Sequence, residues 1–486
     1  MSRVRWRVLA AVTAGLMVAS AALSSASDAS DASSAAPASG GVSGVKGDPQ
    51  PELKPFKIAG VGSGGANAAI ESNGAMVVAY AIGSGNGKTV VCVLARGASK
   101  CSSSVTLTPP GGADLEGTPQ VFAPSANHVV VLTGTSGANP NGDLLYTSTD
   151  GGRSFGAPVR VGSIGVGAAA LVGGQLVFGT DDGGGGGLVQ SVPVAAAAPA
   201  AGPATAVTAY SDSVGVGGYR GGALVASNDD DVATDQTYVG YAPSGRNFNA
   251  SGSYHNVGSF PNEEFVAISG DVLLTVEATG AEAYKVRVFN GTKFGPAHVV
   301  PSSGGGGPEW FSLDTDPSGR LHVFSDRAFS PVSYDLYLQT SSTGASWTGR
   351  EALGNGIDSN EFGSALDSIG SGLAVGTDDH EPVWAFPVLA PQGVSFNLAK
   401  STIGKGKTTV GSGKGSPVAK GRTVWLQQER SGKWWNVASA HESGSGAFSF
   451  TIKGSAAGTF DYRAVVSDFA GYLQYGYSAG RALKVS

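Results

Sequence analysis

Charged residues are scarce in this 486-residue chain, and they are slightly more often acidic than basic. Lys, Arg, Asp and Glu make up 14% of the sequence, and 31 basic against 37 acidic residues give a net charge of −6. Nucleic acids and anionic lipids are recognised through clusters of Lys and Arg, so this composition argues against both as partners. Apolar residues make up 41% of the chain, which favours a folded core over a disordered polypeptide.

Cysteine is nearly absent, since Cys92 and Cys101 are the only two. Their spacing is neither the C-x-x-C of a redox site nor a Cys/His pattern that binds zinc. A strand end, a turn at Gly97 and the start of a second strand lie between them. We therefore predict a structural disulfide that closes a hairpin, as expected in an oxidising compartment.

The one long apolar run lies at the N-terminus. Its three parts are a basic start, an apolar stretch and a small-residue cleavage site: Arg3, Arg5 and Arg7, then Val8 to Leu23, then Ser24-Ser25-Ala26. The stretch is short for a membrane anchor, which needs about 20 residues, and it is typical of a secretory signal peptide. We predict a signal peptide over 1–26, a flexible linker over 27–55, and a secreted, extracellular protein without a transmembrane segment.

Glycine is abundant, at 76 residues, and it separates apolar runs that recur at a nearly constant interval. Seven of these runs can be marked by one residue each: Val77, Val129, Leu176, Leu224, Val272, Leu321 and Leu373. The intervals are all close to 50 residues, and such a period with several strands per repeat is typical of β-propellers. We predict an all-β chain with a propeller over 56–392, in which each marker lies on the second strand of a four-stranded blade.

The number of blades follows from the number of repeats. Seven blades are predicted, and six are the alternative because the third repeat is rich in Gly and Ala. The seventh repeat lacks an obvious fourth strand before the C-terminal region. Phe56-Lys57-Ile58-Ala59 precedes the first repeat, and we predict that it supplies the missing strand and closes the ring.

A turn motif supports the same fold. The segment Ser148-Thr149-Asp150-Gly151-Gly152-Arg153-Ser154-Phe155 falls between the predicted third and fourth strands of the second repeat. It resembles the Asp-box (BNR) turn, S-x-D-x-G-x-[ST]-[WF], of sialidase-like propellers. The resemblance implies a structural role for Ser148, Asp150, Gly152 and Phe155: the Asp side chain accepts backbone N–H bonds, glycine adopts a positive φ, and the aromatic ring packs beneath. Ser341 to Trp347 is a degraded copy with Thr343 in the Asp position, and Ala242 to Phe248 is a weaker one.

The period ends near Pro391, and short alternating strands with Gly/Ser turns follow. This pattern predicts a β-sandwich over 393–486, and it resembles the small immunoglobulin-like modules that end many secreted bacterial proteins. Its aromatic residues have two interpretations. The first is a sugar-stacking face made by Trp434, Tyr472, Tyr475 and Tyr477. The second is a core made by Trp435, Phe448, Phe450 and Tyr462, with the other rings on ordinary turns.

Acidic residues follow the second strand or precede the first strand in most repeats. These two positions share one face of a propeller, around the central channel, where ligands bind. The candidate ligand-binding or cation-binding residues are Asp181, Asp229, Glu264, Glu277, Glu309, Asp326, Glu361 and Asp378. Clustered carboxylates repel one another unless they bind a cation, shift their pKa values or meet a cationic partner. Ca²⁺ suits such oxygen ligands, and the alternative is that these acids only cap turns.

The sialidase resemblance also implies an active site. It consists of three arginines that grip the substrate carboxylate, a Tyr/Glu pair and an Asp acid, with the first arginine in an Arg-Ile-Pro motif. Residues 56–117 contain a single arginine, Arg96, and no such motif. The remaining arginines of interest lie outside any matching motif: Arg220, Arg287, Arg320 and Arg327. The resemblance therefore extends to the fold and not to the catalytic site.

The sequence as a whole favours a binding role. It predicts a monomeric secreted protein whose propeller mouth recognises a glycan, a protein or a cation, with no catalytic residue assigned and Ca²⁺ as the one candidate cofactor. The alternative is a sialidase-like glycoside hydrolase that uses paired mouth carboxylates for acid–base chemistry.

Overall fold

A computed structural model describes residues 55–60, 62, 65–83, 87–136, 142–161, 168–181, 187–195, 202–203, 205–206, 213–229, 236–243, 248, 252–277, 284–301, 311–316, 319–330, 333–349, 351–354, 361–367, 369–377, 382–468 and 472–486. The predicted signal peptide and almost all of the predicted linker lie outside the described residues. Within the described part, no helix is long and apolar enough to cross a membrane.

The described part of the chain up to residue 388 forms seven four-stranded antiparallel sheets. The first strand along the chain is β1 (Phe56–Ala59), which belongs to sheet 7. Sheet 1 contains β2 (Ala66–Ile70), β3 (Met76–Ile82), β4 (Lys88–Leu94) and β5 (Ser103–Thr106). Sheet 2 contains β6 (Asp114–Ser125), β7 (His128–Ser136), β8 (Leu144–Ser148) and β9 (Val159–Arg160). Sheet 3 contains β10 (Ala169–Val172), β11 (Gln175–Asp181), β12 (Gly187–Pro193) and β13 (Thr205–Ala206).

The other four sheets repeat the same order of strands. Sheet 4 contains β14 (Ser213–Tyr219), β15 (Gly222–Asp229), β16 (Gln236–Ala242) and β17 (His255–Pro261), and sheet 5 contains β18 (Glu263–Ser269), β19 (Val272–Glu277), β20 (Tyr284–Val288) and β21 (His298–Val300). Sheet 6 contains β22 (Phe311–Thr315), β23 (Leu321–Ser330), β24 (Ser333–Ser341) and β25 (Glu351–Gly354). Sheet 7 contains β26 (Glu361–Leu366), β27 (Gly372–Thr377) and β28 (Val383–Val388), with β1 as its fourth strand.

The sheets pack in a closed order. The first strand of each sheet contacts the first strand of the next, and β26 of sheet 7 contacts β2 of sheet 1. A separate apolar cluster fills each junction between consecutive sheets, including a cluster that joins sheet 7 to sheet 1. Four-stranded sheets that pack face to face around their first strands are consistent with a β-propeller, and the prediction of an all-β chain is confirmed.

The second strands explain why the sequence repeat was readable. All seven markers fall on second strands, from Val77 on β3 to Leu373 on β27, and each of the seven is buried. A strand that lies inside a sheet and is covered on both faces needs apolar residues at consecutive positions. The period near 50 residues is therefore the spacing of one buried strand from each sheet to the next.

The last sheet is completed from the start of the described chain. β1 pairs antiparallel with β28, with Phe56 opposite Ala385 and Lys57 opposite Trp384, and the Lys57 ammonium lies 4.9 Å from the centre of the Trp384 ring. Ile58 packs against the apolar cluster shared by sheets 7 and 1. The predicted pairing of Phe56–Ala59 with the seventh repeat is confirmed.

The hairpin between β4 and β5 carries the disulfide. Cys92 and Cys101 are bonded, as predicted, and Cys92 is fully buried on β4. The bond closes the loop that presents Arg96, whose guanidinium pairs with Asp367 and receives further support from Ser371. The disulfide therefore holds an arginine that links sheet 1 to sheet 7.

The turn between β8 and β9 is organised by two polar side chains. The Ser148 hydroxyl accepts the N–H of Gly152 at 2.8 Å, and Asp150 Oδ1 accepts the N–H groups of Arg153 and Ser154 at 3.0 and 2.9 Å. The hydrogen bonds that Asp150 accepts lower the pKa of its carboxyl to about 2, and those from Ser154 contribute most. Gly152 has a φ of 78°, and Phe155 packs against the apolar cluster between sheets 1 and 2.

The segment Ser341 to Trp347 forms a similar turn without an acid. The Ser341 hydroxyl accepts the N–H of Gly344 at 2.8 Å, and Thr343 Oγ1 accepts the N–H of Ala345 at 3.2 Å. The Trp347 indole donates to the Gly344 carbonyl at 2.9 Å. The hydroxyl of Thr343 thus replaces part of what the Asp150 carboxylate does in the other turn.

After residue 392 the chain forms two sheets that face each other. The strands are β29 (Gly393–Leu398), β30 (Thr402–Ile403), β31 (Thr408–Ser416), β32 (Thr423–Arg430), β33 (Lys433–His441), β34 (Ala447–Lys453), β35 (Gly458–Val466), β36 (Gly476–Tyr477) and β37 (Arg481–Val485). β29, β31 and β34 form one sheet, and the other runs β30-β37-β35-β32-β33 with β36 beside β35. Phe448, Phe450 and Tyr462 are buried in the core between them, so their predicted core role is confirmed.

Candidate functional site

One face of the ring of sheets collects the starts of the first and third strands and the ends of the second strands. We call this the mouth face. It arises because the strands of each sheet are antiparallel and all seven sheets have the same strand order. Residues that end a second strand and residues that begin a first strand must therefore lie on the same side of the ring.

The predicted acids fall at this face where the structure describes them. Asp181, Asp229 and Glu277 are the last residues of β11, β15 and β19, Glu361 is the first residue of β26, and Glu264 is the second residue of β18. Glu277 pairs with Glu263 across β18 and β19, and Glu361 pairs with Thr377 across β26 and β27. These five acidic residues therefore occupy strand positions at one face, as the strand order predicted from the sequence requires.

Three further predicted residues have different outcomes. Asp326 is not in a loop after the second strand, because β23 continues to Ser330 and pairs Asp326 with Leu336 on β24. The hairpin of sheet 6 is longer than the repeat predicts. Glu309 and Asp378 lie outside the described residues.

Glu263, next to the predicted Glu264, is the anchor of a buried ion cluster. The Arg287 guanidinium donates to both of its carboxylate oxygens, at 2.5 and 2.8 Å, and the Thr275 hydroxyl donates at 2.6 Å. The Lys285 ammonium lies 3.4 Å from Oε1. Burial alone would raise the pKa of Glu263, but the hydrogen bonds from Arg287 and Thr275 and the two positive charges lower it below its usual value, so Glu263 is an anion held inside the protein.

This cluster also joins two sheets. The Arg287 guanidinium lies 4.1 Å from the centre of the Phe260 ring on β17 of sheet 4, and the Thr237 hydroxyl of the same sheet donates to the backbone carbonyl of Glu263. A bidentate Arg–carboxylate pair with a stacked ring is rigid. The start of β18 is therefore fixed, which positions the neighbouring Glu264 backbone at the mouth face.

Asp143 is a second acid at the mouth face that sequence reasoning missed. It directly precedes β8, the third strand of sheet 2, and it is fully buried. Its two carboxylate oxygens have no hydrogen-bond partner among the described residues. Burial raises the pKa of Asp143 to about 7 against the weaker opposing effect of Arg160. The available signal was an acid at the end of a Gly/Asn/Pro-rich connection between second and third strands.

The arginines matter because the sialidase resemblance predicts a cationic grip on a substrate carboxylate. Arg96 is paired with Asp367, and Arg287 is paired with Glu263. The Arg220 guanidinium lies over the ring of its neighbour Tyr219, 5.1 Å from the ring centre. These three side chains are therefore engaged in contacts within the protein.

A metal centre requires several ligating side chains to converge on one point. Within the part of the chain that the structure describes, no three His, Cys, Asp or Glu side chains come together in a way that could hold a metal ion. Ca²⁺ binding by the mouth acids stays a prediction, because it depends on side chains beyond that part.

A small cavity lies on the side of the ring opposite the mouth face. Its volume is about 30 Å³, and it is lined by Phe56, Met76, Arg96, Asp367, Leu373 and Tyr472, among others. A cavity of this size holds one or two water molecules at most. It is therefore a packing gap beneath the contact between the ring and the C-terminal sheets, and not a site for an organic ligand.

The aromatic residues of the C-terminal sheets are split between two locations. Tyr472 contacts Arg96 of the ring, so it does not join Tyr475 and Tyr477 in one face as the first sequence interpretation required. Trp435 is 55% exposed, so its predicted core role is wrong: β33 is the edge strand of its sheet, and it is exposed along most of its length.

Comparison with known proteins gives distant structural likenesses only. No family model matches the chain, and no curated protein matches it in sequence. Similar solved structures include a Hadza microbial sialidase, at 12% identity over 67% of this chain and 66% of that one, with a TM-score of 0.41. They also include AofleA from Arthrobotrys oligospora, at 11% identity over 83% of this chain and 93% of that one, with a TM-score of 0.35. Trypanosoma rangeli sialidase has 9% identity over 84% of this chain and 82% of that one, with a TM-score of 0.35.

Proposed function

We propose that this chain is a secreted, extracellular glycan-binding protein. In this proposal a signal peptide (1–26) and a linker (27–55) precede a seven-bladed, sialidase-like propeller with Asp-box turns (56–392), and an immunoglobulin-like sandwich (393–486) follows. The ligand binds at the mouth of the propeller, and the protein acts as a monomer.

The observation that carries the proposal is the convergence of acids on the mouth face. Asp181, Asp229 and Glu277 end three consecutive second strands, Glu361 begins a first strand, and Glu264 is the second residue of another. Ionised carboxylates are hydrogen-bond acceptors only, and sugar hydroxyls are donors that match them. Acidic residues that four sheets contribute to one face support binding of a polyhydroxylated ligand, and Ca²⁺ would suit their oxygens as a bridging ion.

The sign of the charge narrows the class of glycan. An acidic mouth attracts cationic amino-sugar glycans, does not repel neutral ones, and repels sialylated or uronic-acid ones. The engagement of Arg287 with Glu263 supports the same choice, because this guanidinium is not available to bind a sugar carboxylate in the present arrangement. The proposed ligand is therefore an uncharged or cationic oligosaccharide.

Thermal unfolding of the chain from Ser27 onward tests the proposal. It would be measured with neutral, amino-sugar and sialylated oligosaccharides, each in Ca²⁺ and in chelator. The variants are Asp229→Asn with Glu277→Gln, and the matched control is Asp461→Asn, an exposed acid of the C-terminal sheet. We expect a neutral or amino-sugar glycan to raise the midpoint in the unmodified chain and in the control, and to lose at least half of this shift in the mouth variant. A shift produced only by sialylated glycans, or none with any glycan, would refute the proposal.

A glycoside hydrolase is the second candidate, and Asp143 is the observation that favours it. A carboxyl that stays protonated near neutral pH is what a general acid needs, and burial raises the pKa of Asp143 to about 7. Its partner would be one of the predicted mouth acids: Glu264, Glu309, Asp326, Glu361 or Asp378. Release of nitrophenol from a panel of aryl glycosides, abolished by Asp143→Asn without loss of folding, would establish hydrolysis. If no aryl glycoside of the panel released nitrophenol, hydrolysis would be refuted and glycan binding would remain as the proposed function.

A further inference from the structure

The outward face of the larger C-terminal sheet carries side chains that no part of the mouth account uses. On β32, Val424 and Leu426 point into the core, so strand alternation turns Trp425 and Gln427 outward. On β35, Tyr462 and Ala464 are core residues, which turns Arg463 outward in the same way. The cross-strand register places Gln427 opposite Asn436 on β33 and opposite Arg463 on β35.

A chain of hydrogen bonds crosses this face. Arg463 Nε donates to Gln427 Oε1 at 2.7 Å, and Gln427 Nε2 donates to Asn436 Oδ1 at 2.9 Å. Because the Asn436 oxygen accepts this bond, its Nδ2 group keeps its role as a donor. Asn436 is exposed, so the chain ends in an oriented polar group at the surface.

Aromatic rings flank this polar row on both sides. The Arg463 guanidinium lies 4.5 Å from the centre of the Trp434 ring and 4.8 Å from the centre of the Tyr477 ring. Trp425 and Tyr475 form a second, nearly parallel pair, with ring centres 6.1 Å apart and planes 21° apart. All four rings are partly exposed, and none belongs to the core between the two sheets.

The arrangement is rigid before any ligand arrives. Arg463 is 5% exposed and is held by its bond to Gln427 and by the two rings, so it orients Trp434 and Tyr477 and does not itself reach a ligand. Side chains that are fixed on folding lose little further entropy when they bind. The face therefore presents preorganised apolar ring surface next to an oriented amide.

We propose that this face, formed by Trp434, Asn436, Trp425 and Tyr477 above the buried Gln427, is a second carbohydrate-binding site. A pyranose ring has an apolar C–H face that packs on an aromatic ring and equatorial hydroxyls that accept and donate hydrogen bonds in its plane. Trp434 and Asn436 lie two residues apart on one face of β33, which is the spacing that brings a stacking surface and an amide donor to the same sugar unit. The ligand class is a neutral polysaccharide or oligosaccharide. This site is separate from the mouth and does not depend on the proposed function of the mouth.

Trp435 provides a matched control on the same strand. It is the neighbour of Trp434, it faces the opposite side of the sheet, and it is 55% exposed. A ligand on the outward face must be sensitive to Trp434 and insensitive to Trp435. A partner that adds a strand to the open edge of β33 would be sensitive to both.

Depletion assays with insoluble cellulose, chitin and peptidoglycan, and titrations with their soluble oligosaccharides, test the site in the chain from Ser27 onward. We expect at least one polysaccharide to bind, with affinity reduced at least tenfold by Trp434→Ala and several-fold by Asn436→Ala. Trp435→Ala should stay within twofold of the unmodified chain, and Trp434→Ala should lower the affinity by the same factor in the mouth variant Asp229→Asn with Glu277→Gln as in the unmodified chain. Unfolding midpoints identify any variant that fails to fold. If Trp434→Ala does not fold, the variant of the exposed residue, Asn436→Ala, still tests the site.

Three results would overturn the inference. Binding to none of the polysaccharides would remove the ligand class. Equal losses in Trp434→Ala and Trp435→Ala would indicate docking along the edge strand. Loss of binding in the mouth variant alone would place the carbohydrate at the mouth and leave the C-terminal face without a ligand.

Discussion

The guanidinium of Arg96 lies over the ring of Tyr472, with its Cζ atom 4.1 Å from the ring centre. Arg96 belongs to the disulfide-closed hairpin of sheet 1, and Tyr472 belongs to the C-terminal sheets. The backbone N–H of Ala390 donates to the Tyr472 carbonyl at 2.9 Å, and that of Gln474 donates to the Ala390 carbonyl at 3.0 Å. The ring and the C-terminal sheets are thus joined by a side-chain contact and by the hydrogen-bonded connection between them.

Replacing Arg96 should weaken this junction. Arg96→Ala removes a cation–π contact and an ion pair and leaves the largely buried Asp367 carboxylate without its guanidinium, a loss of about 2 kcal/mol in the free energy of unfolding. Calorimetry should show a lower midpoint and a partial separation of the C-terminal transition. Arg153→Ala, which alters an exposed arginine of the Asp150 turn, should unfold like the unmodified chain. A single unchanged transition in Arg96→Ala would mean that the contact contributes nothing to the junction.

The disulfide should act partly through Arg96. Cys92 and Cys101 are nine residues apart, and closing a loop of that size is worth about 2–3 kcal/mol. We expect Cys92→Ala with Cys101→Ala to destabilise by this amount and also to reduce the effect of Arg96→Ala, because the open loop no longer holds the guanidinium against Tyr472. A double-mutant cycle measures this coupling. Strictly additive effects would show that the hairpin positions Arg96 without the disulfide.

Stability should fall as the pH rises toward neutrality because of Asp143. The carboxyl has a pKa of about 7 in the folded protein and an ordinary value of 3.8 when exposed. Its contribution to stability is therefore fully present near pH 4 and is lost as the pH rises through about 7. At roughly 1.4 kcal/mol for each pKa unit, the loss is up to about 4 kcal/mol.

Asp143→Asn isolates this effect. The amide cannot ionise, so the variant should match the unmodified chain near pH 4 and exceed it in stability by a few kcal/mol at pH 8, as measured by urea unfolding. Asp314, whose pKa burial also raises to about 7, provides a comparison, and Asp314→Asn should flatten the remaining slope. An Asp143→Asn curve parallel to that of the unmodified chain would show that Asp143 ionises freely in the folded state.

The strand β1 should be necessary for a closed ring. A chain that begins at Gly60 lacks Phe56–Ala59 and exposes the edge of β28, which invites pairing with other molecules. We expect a lower unfolding midpoint and concentration-dependent association in light scattering. A chain that begins at Pro55 keeps β1 and is the control. Equal midpoints and monomeric behaviour for both chains would contradict a role of β1 in closure.

The sequence predicted those elements whose burial leaves a local pattern. The second strands from β3 to β27 are apolar at consecutive residues because they are covered on both faces, and their spacing was visible. The position of Asp229 and Glu277 at the mouth face could be predicted because both residues directly end such strands. Phe56–Ala59 was found because the seventh repeat lacked a fourth strand.

Features that depend on tertiary packing were missed. Asp143 looks like any loop acid in the sequence, and only its enclosure at the start of β8 raises its pKa. Trp435 was expected in the core because strand alternation does not reveal that β33 lies at the edge of its sheet and is exposed along most of its length. The extension of β23 past Asp326 depends on its pairing with β24, which the repeat length does not encode.

Hydrogen–deuterium exchange with the glycan that most raises the unfolding midpoint tests the account most directly. We expect slower exchange in the peptides that contain the ends of β11, β15 and β19 and the starts of β18 and β26, with the turns on the opposite face unchanged. Protection confined to the opposite face, or absent from the ring while the glycan is bound, would contradict a ligand site at the mouth.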